Sequence, residues 1–374
     1  MKEKGNNKNR IIIIFAFIIF LIISLAIKAG IYIHKWQKLA KEMINNSPSI
    51  ILDSSYEEIA KIGNNKNTKN SLISNIPDNL KNAYISIEDQ RFYSHSGVDL
   101  PRTASAIFSY IKNLGSSSFG GSSITQQLVK NLTGDNSSKV SRKISEWIKA
   151  FSLEEILSKD EILEAYLNII YVGPNIYGVS LGSEYYFSKD LSNLSLAECA
   201  FLAGINNSPN SYNPFDTEND NSNKIKKRTI TVLKKMLDLG YIDNNDFEKA
   251  SNEVNYGLNF KCGKIISKKD SNIYSYHTDA LINELVTDIS KKEKISETFA
   301  TNYLEMAGLK IYSTVNSKIQ AQMETEVQKG KYLLKSAKTP DKTSQAAMVI
   351  IDHKTGYVVR MCTVELEKKI LQEV

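Results

Sequence analysis

The feature that most constrains this chain is a long apolar run close to its N-terminus. Residues 11–33 are dominated by Ile, Phe, Leu and Ala, with Lys28 as the one charged residue among them. A helix needs about 20 apolar residues to cross the hydrocarbon core of a bilayer. A lysine in such a helix can extend its ammonium group toward the lipid head groups. The sequence therefore predicts one transmembrane helix.

The charges before the apolar run predict its orientation. Four basic residues lie within the first ten positions: Lys2, Lys4, Lys8 and Arg10. Basic flanks stay on the cytoplasmic side, so residues 1–10 are expected to be a cytoplasmic tail and 11–33 the anchor. No Ala-x-Ala-like cleavage site follows, which favours an uncleaved anchor over a removed signal peptide. We expect a single-pass protein of the cell membrane, with everything after Trp36 outside the cytoplasm.

Composition bounds the classes of partner. The 374 residues are 42% hydrophobic and 24% charged, which is ordinary for a folded protein. The net charge of +6 is too small to indicate nucleic acid, and no nucleic-acid-reading motif accompanies it, so no such partner is expected. Cys199, Cys262 and Cys362 lie far apart and lack metal-binding spacing. They predict neither a disulfide framework nor a metal site.

The chain divides into segments of different character. Residues 34–72 are polar and Asn-rich near their end, which predicts a stalk between membrane and domain. Over residues 73–240 apolar residues recur at helical spacing, and strand-like alternation is rare, so this domain is expected to be predominantly α-helical. Residues 241–345 read as a mixed linker region. Residues 346–361 alternate and turn like a β-hairpin, which is marginal in stability when it has no further strand to join.

A block of polar residues follows the first predicted helix of the 73–240 domain. Glu88 and Asp89 come directly after an apolar run. An acid at the edge of a packed helix loses part of its hydration, which suits a general base. Glu88 is the candidate base, although the residue alone could equally be a solvated helix end; Asp89 is expected to orient the loop. Phe92, His95 and Gly97 are expected to supply a wedge, a hydrogen-bonded histidine and a turn.

A second and a third block follow. Gly120 and Gly121 permit close backbone approach, and hydroxyl, amide and basic side chains come next. The residues of this second block expected to contact sugar or phosphate are Ser122, Thr125, Gln126, Lys130 and Asn131.

In the third block, Arg142, Lys143 and Glu146 share one helical face. Arginine can bind phosphate oxygens bidentately and lysine acts as a point charge, so this face suits a diphosphate. The alternative is an intrahelical ion pair on a solvated face, worth only a few tenths of a kcal/mol.

These three blocks, in this order and spacing, resemble the family 51 glycosyltransferase domain of class A penicillin-binding proteins and monofunctional peptidoglycan transglycosylases. Segments within 162–179 and 194–204 resemble the family's fourth and fifth motifs and are expected to form core and groove wall. The resemblance covers residues 73–240. Ser123 stands where the family usually has threonine, and Ser138 where a further arginine is common, with Lys139 beside it.

The resemblance implies a fold and a reaction. The fold is an all-helical, lysozyme-like lobe with a small membrane-facing jaw that includes residues 108–119. The reaction polymerises lipid II into β-1,4 glycan strands with inversion and release of undecaprenyl diphosphate. Glu88 would deprotonate the 4-hydroxyl of the acceptor GlcNAc. Glu146 would match the family's second acid, which organises cations or a divalent metal (Mg or Mn) about the diphosphate; no other cofactor is expected.

Residues 309–361 resemble the linker and first strands that lead into a penicillin-binding transpeptidase domain. That domain needs a Ser-x-x-Lys nucleophile followed by Ser-x-Asn and Lys-Thr-Gly. Lys354-Thr355-Gly356 lies in the entry turn, before any nucleophile. The one Ser-x-x-Lys, at 109–112, falls inside a predicted helix of the earlier domain. Residues 346–374 are therefore expected to be a truncated start of that domain, without transpeptidase activity.

Two other functions stay open on the sequence. A lysozyme-like hydrolase would also use one catalytic glutamate on a helical lobe, but hydrolysis of a glycan releases no diphosphate for the cations near Glu146. A second alternative is an inactive, truncated, membrane-tethered partner in a wall-synthesis complex. The expected partners are lipid II, a lipid-linked glycan strand, the membrane, and wall-synthesis or division proteins.

Overall fold

The computed structural model describes residues 3–63, 67–105, 121–263, 274–328 and 347–363, and these are predominantly helical, as predicted. The helices are α1 (Glu3–Met43), α2 (Asp78–Glu88), α3 (Ile124–Thr133), α4 (Val140–Glu154), α5 (Lys159–Ile169), α6 (Val179–Phe187), α7 (Leu196–Ile205), α8 (Ser222–Asp238), α9 (Asn244–Tyr256), α10 (Tyr276–Glu293), α11 (Glu297–Met306) and α12 (Ser317–Gln328). The strands are β1 (Ser49–Leu52), β2 (Glu58–Ile62), β3 (Asn67–Thr68), β4 (Tyr171–Gly173), β5 (Ile176–Tyr177), β6 (Lys310–Tyr312), β7 (Ala347–Ile351) and β8 (Val358–Thr363). The predicted jaw segment, 108–119, lies outside the described residues.

Helix α1 agrees with the predicted anchor. Within the described residues, its segment Phe15–Met43 is the one stretch long and apolar enough to cross a membrane by length and composition. The large apolar side chains between Phe15 and Ile31 are exposed, whereas Trp36 and Met43 are buried in the core. One continuous helix therefore passes from a fully exposed apolar stretch into the folded domain.

The predicted stalk over residues 34–72 is wrong for most of its length. The indole Nε1 of Trp36 donates a hydrogen bond to the carbonyl of Lys149 (3.1 Å), which docks the end of α1 on α4. Residues 49–62 form the β1–β2 pair. The buried residues of 36–43 are few and lie at helical spacing among lysines, so composition did not reveal that the end of α1 packs on α4. Strand β1 is short, so composition did not reveal the β1–β2 pair either. The segment 64–66, within the Asn-rich stretch, lies outside the described residues.

The core of the helical domain is built around α7. Nine of its ten residues are buried, which places this helix at the centre rather than on a face. Helices α2 and α8 pack against it, and α3 packs against α4 and α5. Ser195 and Glu198 form a capping box at the start of α7. This arrangement fixes the C-terminal end of α2, where Glu88 lies.

Small sheets connect distant parts of the chain. In the first, β1 pairs antiparallel with β2 and parallel with β6, so that Ile51 lies opposite Ile311. In the second, β5 pairs with β3 and β4. The first sheet joins the segment after α1 to the predicted linker region, which is therefore folded onto the domain where it is described.

The β7–β8 hairpin forms as predicted. Its two strands pair antiparallel, with Val349 opposite Met361. The hydroxyl of Thr314 donates to the carbonyl of Val358 (2.6 Å), which attaches β8 to the rest of the chain. Met348, Val349 and Ile351 are exposed. Among the described residues, the hairpin has no third strand.

Helix α11 closes the C-terminal end of α3. The side-chain amide of Asn302 donates to the carbonyls of Asn131 (3.3 Å) and Leu132 (3.1 Å), two of the groups that a helix end leaves without intrahelical partners. Gly134 ends α3 with a left-handed φ of +65°. A Cβ at Gly134 would lie 2.6 Å from the Thr298 side chain, so α11 sits directly against this turn.

We expect Asn302→Ala to lower the free energy of unfolding by about 1 kcal/mol, because these α3 carbonyls lose their donor. The midpoint of thermal unfolding in detergent should fall by roughly 2–4 °C. Thr301→Ala is the matched control, since among the described residues the Thr301 hydroxyl bonds only to the Glu297 carbonyl of its own helix. Equal midpoints for the two variants would contradict the capping role.

Candidate active site

Glu88 is the last residue of α2, at the point where the chain leaves the core. Leu80, Ala83 and Tyr84 bury the other face of this helix, and the Glu88 side chain is half-buried. One carboxylate oxygen accepts from Nε2 of Gln127 (2.8 Å) and the other from Nδ2 of Asn206 (3.2 Å). Neutral amides thus orient the carboxylate and leave lone pairs free to take a proton.

Tyr166 completes this network. Its hydroxyl donates to Oε1 of Gln127 and accepts from Nδ2 of Asn206, each at 3.0 Å. Burial raises the pKa of Tyr166 well above its usual value, and the negative charge of Glu88 adds to the effect. The phenol therefore stays neutral, and it fixes the orientation of both amides that bind Glu88.

Asp89 points in a different direction and is fully buried. Its carboxylate accepts from the backbone N–H of Ile124 (3.0 Å) and contacts Nε2 of His95 (3.0 Å). The acid therefore joins the loop after α2 to the start of α3, which is the orienting role predicted for it. Phe92 is buried, and Gly97 has a φ of +91°. A Cβ at Gly97 would lie 2.6 Å from the carbonyl oxygen of Ala150, so this turn requires glycine.

An ion pair closes the same loop. Nε of Arg91 donates to buried Asp99 (2.9 Å), and the backbone N–H of Arg102 donates to the same carboxylate (2.9 Å). Burial alone would raise the pKa of Asp99, but the hydrogen bonds from Arg91 and Arg102 outweigh it and hold this pKa below the usual 3.8. The Arg102 guanidinium also donates to the carbonyl of Glu88 (2.6 Å). The loop is thereby fastened to the end of α2.

Glu146 lies buried on α4 within a cluster of donors. Arg142 and Lys143 each approach its carboxylate at 2.5 Å. Nε2 of Gln126 donates to it at 2.8 Å. Lys143 also donates to the hydroxyl of Ser122 (2.7 Å). The structure thus brings together five of the predicted site residues and keeps two cations beside one acid.

Two consecutive residues of α3 connect the acids. Gln127 binds Glu88 and Gln126 binds Glu146. Ser123 and Gln126 form a capping box at the start of α3, so the glutamine that holds Glu146 is itself fixed by the helix end. The serine that replaces the family's usual threonine at 123 supplies the hydroxyl this cap needs. The candidate base and the cation cluster are therefore held by one helical turn.

Three predicted substrate-binding residues lie outside these contacts. Thr125 is fully buried, and its hydroxyl donates to Glu154 (2.6 Å), so it faces α4. Lys130 is exposed on α3, and Asn131 is half-buried. Among the described residues, no hydrogen bond joins Lys130 or Asn131 to either acid. Exposed Lys139 directly precedes α4. Substrate contact by any of these side chains stays a prediction.

Sequence reasoning missed several groups that hold Glu88. Gln127 stands in the polar second block, but its sequence position does not indicate that it binds Glu88, and Tyr166 reads as core because it sits in an apolar helix. Asn206 follows α7 at its C-terminal end, 118 residues after Glu88. Polar residues directly after a buried helix are the signal that could have found it.

The described residues contain no group of three or more His, Cys, Asp or Glu that could hold a metal ion. A carboxylate offers about four lone-pair positions, and three donors already occupy those of Glu146. One position remains. A Mg²⁺ or Mn²⁺ ion here would therefore take most of its oxygen ligands from phosphate and water, as Mg²⁺ commonly does.

Because the pKa of Asp99 is lowered on folding, its ionised form stabilises the domain above about pH 3.8, and this contribution is lost as pH falls through the lower folded-state pKa. We expect Asp99→Asn to lower the midpoint of thermal unfolding at pH 7. The difference from the wild type should shrink below pH 3.8. Asp78→Asn, which removes an exposed pair with Lys81, should have little effect at either pH. A pH-independent Asp99→Asn difference would be the contrary result.

The sequence of this domain matches those of known proteins. Residues 55–237 match the family model described as Transglycosylase. Penicillin-binding protein 1A of Clostridium botulinum (strain Langeland) is 36% identical over 317 residues, which cover 84% of this chain and 38% of that protein. Penicillin-binding protein 1A of Clostridium perfringens (strain 13) is 35% identical over 325 residues, covering 84% and 47%. Penicillin-binding protein 1A/1B of Bacillus subtilis is 37% identical over 277 residues, covering 74% and 28%.

A crystal structure of penicillin-binding protein 1A from Haemophilus influenzae is 21% identical, covers 76% of this chain and 29% of that one, and has a TM-score of 0.32. The chain thus spans less than half the length of each of these relatives. The matched range, residues 55–237, contains the two acids, the two glutamines and the two cations of the candidate site. Residues 55–237 of this chain therefore form a transglycosylase domain of the family 51 glycosyltransferase type.

Proposed function

We propose that this chain is a membrane-anchored peptidoglycan glycosyltransferase. It polymerises lipid II into β-1,4 glycan strands, with a lipid-linked strand as donor and undecaprenyl diphosphate as the leaving group. Its membership of the transglycosylase family supports the reaction class. Adjacent residues of α3 bind Glu88 and Glu146, which supports separate roles for a base and a leaving-group clamp.

Glu88 acts as the general base. It takes the proton of the acceptor's GlcNAc 4-hydroxyl, and the oxygen attacks the anomeric carbon of the donor with inversion. The bond from that carbon to the diphosphate oxygen breaks, and the electron pair leaves with the diphosphate. Arg142 and Lys143 balance the charge that develops on the departing diphosphate, as fixed cations do for phosphoryl oxygens in other enzymes. The hydrogen bonds from Gln127 and Asn206 keep the Glu88 side chain in place while it takes up the proton.

The observation that carries this proposal is the pair of adjacent glutamines on α3. A base and a leaving-group clamp must keep a fixed separation if one sugar ring is to react between them. Gln127 bound to Glu88 and Gln126 bound to Glu146 supply that constraint without placing another charge beside the base. A hydrolase would need no such cation cluster, because water displaces a sugar rather than a diphosphate.

The location of the protein follows from α1. We assign residues 1–10 to the cytoplasm and the transglycosylase domain to the outer side of the membrane, on the basis of the basic residues that precede the apolar helix. Lipid II and the growing strand are then reached from the membrane surface. Wall-synthesis or division proteins are the proposed protein partners. No transpeptidation is assigned to Lys354-Thr355-Gly356, which forms the exposed turn between β7 and β8.

The first test measures strand formation from lipid II by the full chain in detergent, on a gel that resolves glycan lengths. We expect Glu88→Gln to lower the rate about 10²–10⁴-fold, the range for loss of a general base. Glu184→Gln is the control, since Glu184 forms an exposed ion pair with Lys69. Normal strands from Glu88→Gln would overturn the assignment of the base.

The same gel distinguishes the other functions. No strands from a wild-type protein with a folded helical spectrum would favour a non-enzymatic partner in wall synthesis. Shortening of added glycan would favour a hydrolase.

We further propose that Mg²⁺ or Mn²⁺ assists at the diphosphate through Glu146. EDTA should then slow the wild type, and added Mg²⁺ should restore the rate. Glu146→Gln should lower the rate about 10²-fold, as for other losses of fixed electrostatic stabilisation, and should respond less to both additions. A wild-type rate unchanged by EDTA would leave Arg142 and Lys143 as the only charge balance and would contradict the metal.

A further inference from the structure

Helix α8 carries most of the positive charge of this chain. Six of its 17 residues are basic and one, Asp238, is acidic, which gives the helix a net charge of +5 in a chain whose total is +6. Successive residues turn by about 100°, so five of the six basic side chains fall within an arc of about 120°. These five residues, the α8 basic face, are Lys224, Lys227, Arg228, Lys234 and Lys235. The opposite side of the helix is buried in the core through Val232 and Met236.

The charges of the α8 basic face are not balanced within the domain. Lys224 Nζ donates to Oδ1 of Asn221 (3.3 Å) and Arg228 Nε to the carbonyl of Gly204 (3.1 Å), and both of these acceptors are neutral. Lys227 is exposed, as is Lys234 seven residues later. Across the described part of the chain, no carboxylate lies within ion-pair distance of any of the five basic groups. A surface of one sign that lacks counter-charges attracts ligands of the opposite sign.

The α8 basic face begins beside the Glu88 end of the candidate site. Helix α8 packs on α7 and on α2, which ends at Glu88. Arg228 bonds the backbone at Gly204 near the end of α7, and Asn206, two residues later, donates to Glu88 (3.2 Å). Glu146 is held instead by cations of α4 and an amide of α3. The two groups of cations therefore adjoin different acids of the site.

This position indicates which part of the substrate the face meets. In the proposed reaction Glu88 activates the acceptor, so the face adjoins the acceptor and not the donor's diphosphate. The acceptor, lipid II, carries a short peptide with free carboxylates next to the sugar that Glu88 activates. From Lys224 to Lys235 the face extends about 16 Å along the helix axis. Four of its five cations are lysines, which act as separate point charges on flexible stems. Dispersed lysines over this length suit several carboxylates on a flexible peptide better than one compact diphosphate.

We propose that the α8 basic face binds the peptide carboxylates of the acceptor, and that peptide charge is thereby a determinant of acceptor choice. This role rests on the proposed function, since it takes lipid II as the acceptor and Glu88 as its base. Exposed charge pairs are individually weak, so the face acts through the sum of several contacts. It adds affinity and charge selectivity to the contacts that the site makes with sugar and diphosphate.

Equilibrium binding of fluorescent lipid II to the full chain in a non-ionic detergent tests this role. Every protein carries Glu88→Gln, which removes the proposed base, so that the ligand is not consumed. The test variant also exchanges three exposed lysines of the face for glutamine, which removes charge and keeps a similar helix propensity. Its substitutions are Lys224→Gln, Lys227→Gln and Lys234→Gln.

The control variant makes the same change of charge elsewhere. It exchanges three exposed lysines of α10 and α12, outside the transglycosylase domain. Its substitutions are Lys291→Gln, Lys292→Gln and Lys318→Gln. Two ligands are compared with both variants: lipid II with free peptide carboxylates, and lipid II in which the same groups are carboxamides.

We expect the Kd for carboxylate lipid II to be about 3- to 10-fold higher for the test variant than for the control variant, and the Kd for the carboxamide ligand to be the same for both. The difference should shrink at high salt, because exposed charges are screened. Equal Kd values of the two variants for carboxylate lipid II would overturn the proposal. An equal loss for both ligands would also overturn it, because the face would then bind the diphosphate.

Strand formation by the wild type separates this result from the proposed function. Glycan strands together with equal Kd values would overturn the role of the α8 basic face alone. Absence of both strands and lipid II binding would overturn the proposed function, and this role with it.

Discussion

The organisation of the site depends on one buried charge at a helix start. Asp89 accepts the backbone N–H of Ile124, the first residue of α3, and so neutralises part of the positive end of that helix dipole. The same carboxylate holds His95. Because α3 carries both glutamines, the acid that follows Glu88 in sequence fixes the helix that orients Glu88 in space. An apolar residue at this position would remove the hydrogen bonds to the loop and to the helix start together.

Local pattern was enough for much of the fold. Helical spacing of apolar residues over 73–240 predicted the helical domain, since this signal depends on neighbours in sequence. The stalk was wrong because the buried side chains at the end of α1 are few and separated by lysines. Their burial depends on α4, more than a hundred residues away. Composition reports what a segment is made of, but it does not report what packs against it.

The site was predictable in its acids and cations but less so in its supporting groups. Residue type and spacing were enough to predict the two acids and two cations, which are Glu88, Glu146, Arg142 and Lys143. Asn206 and Tyr166 reach Glu88 and Gln127 from distant segments, and no local signal reports such pairing. Thr125 shows the converse error. Thr125 precedes Gln126 on α3, so its side chain points about 100° away around the helix axis and bonds Glu154. Membership of a motif therefore does not decide which way a side chain faces.

The continuity of α1 has a mechanical consequence. No break separates its apolar stretch from Trp36 and Met43, which are buried in the domain core. Long apolar helices respond to a mismatch with bilayer thickness by tilting. Without a hinge, any tilt of α1 is passed to the helical domain as a rotation of the same angle. In the membrane-anchored protein that we propose, bilayer thickness therefore influences the angle between the helical domain and the lipid surface.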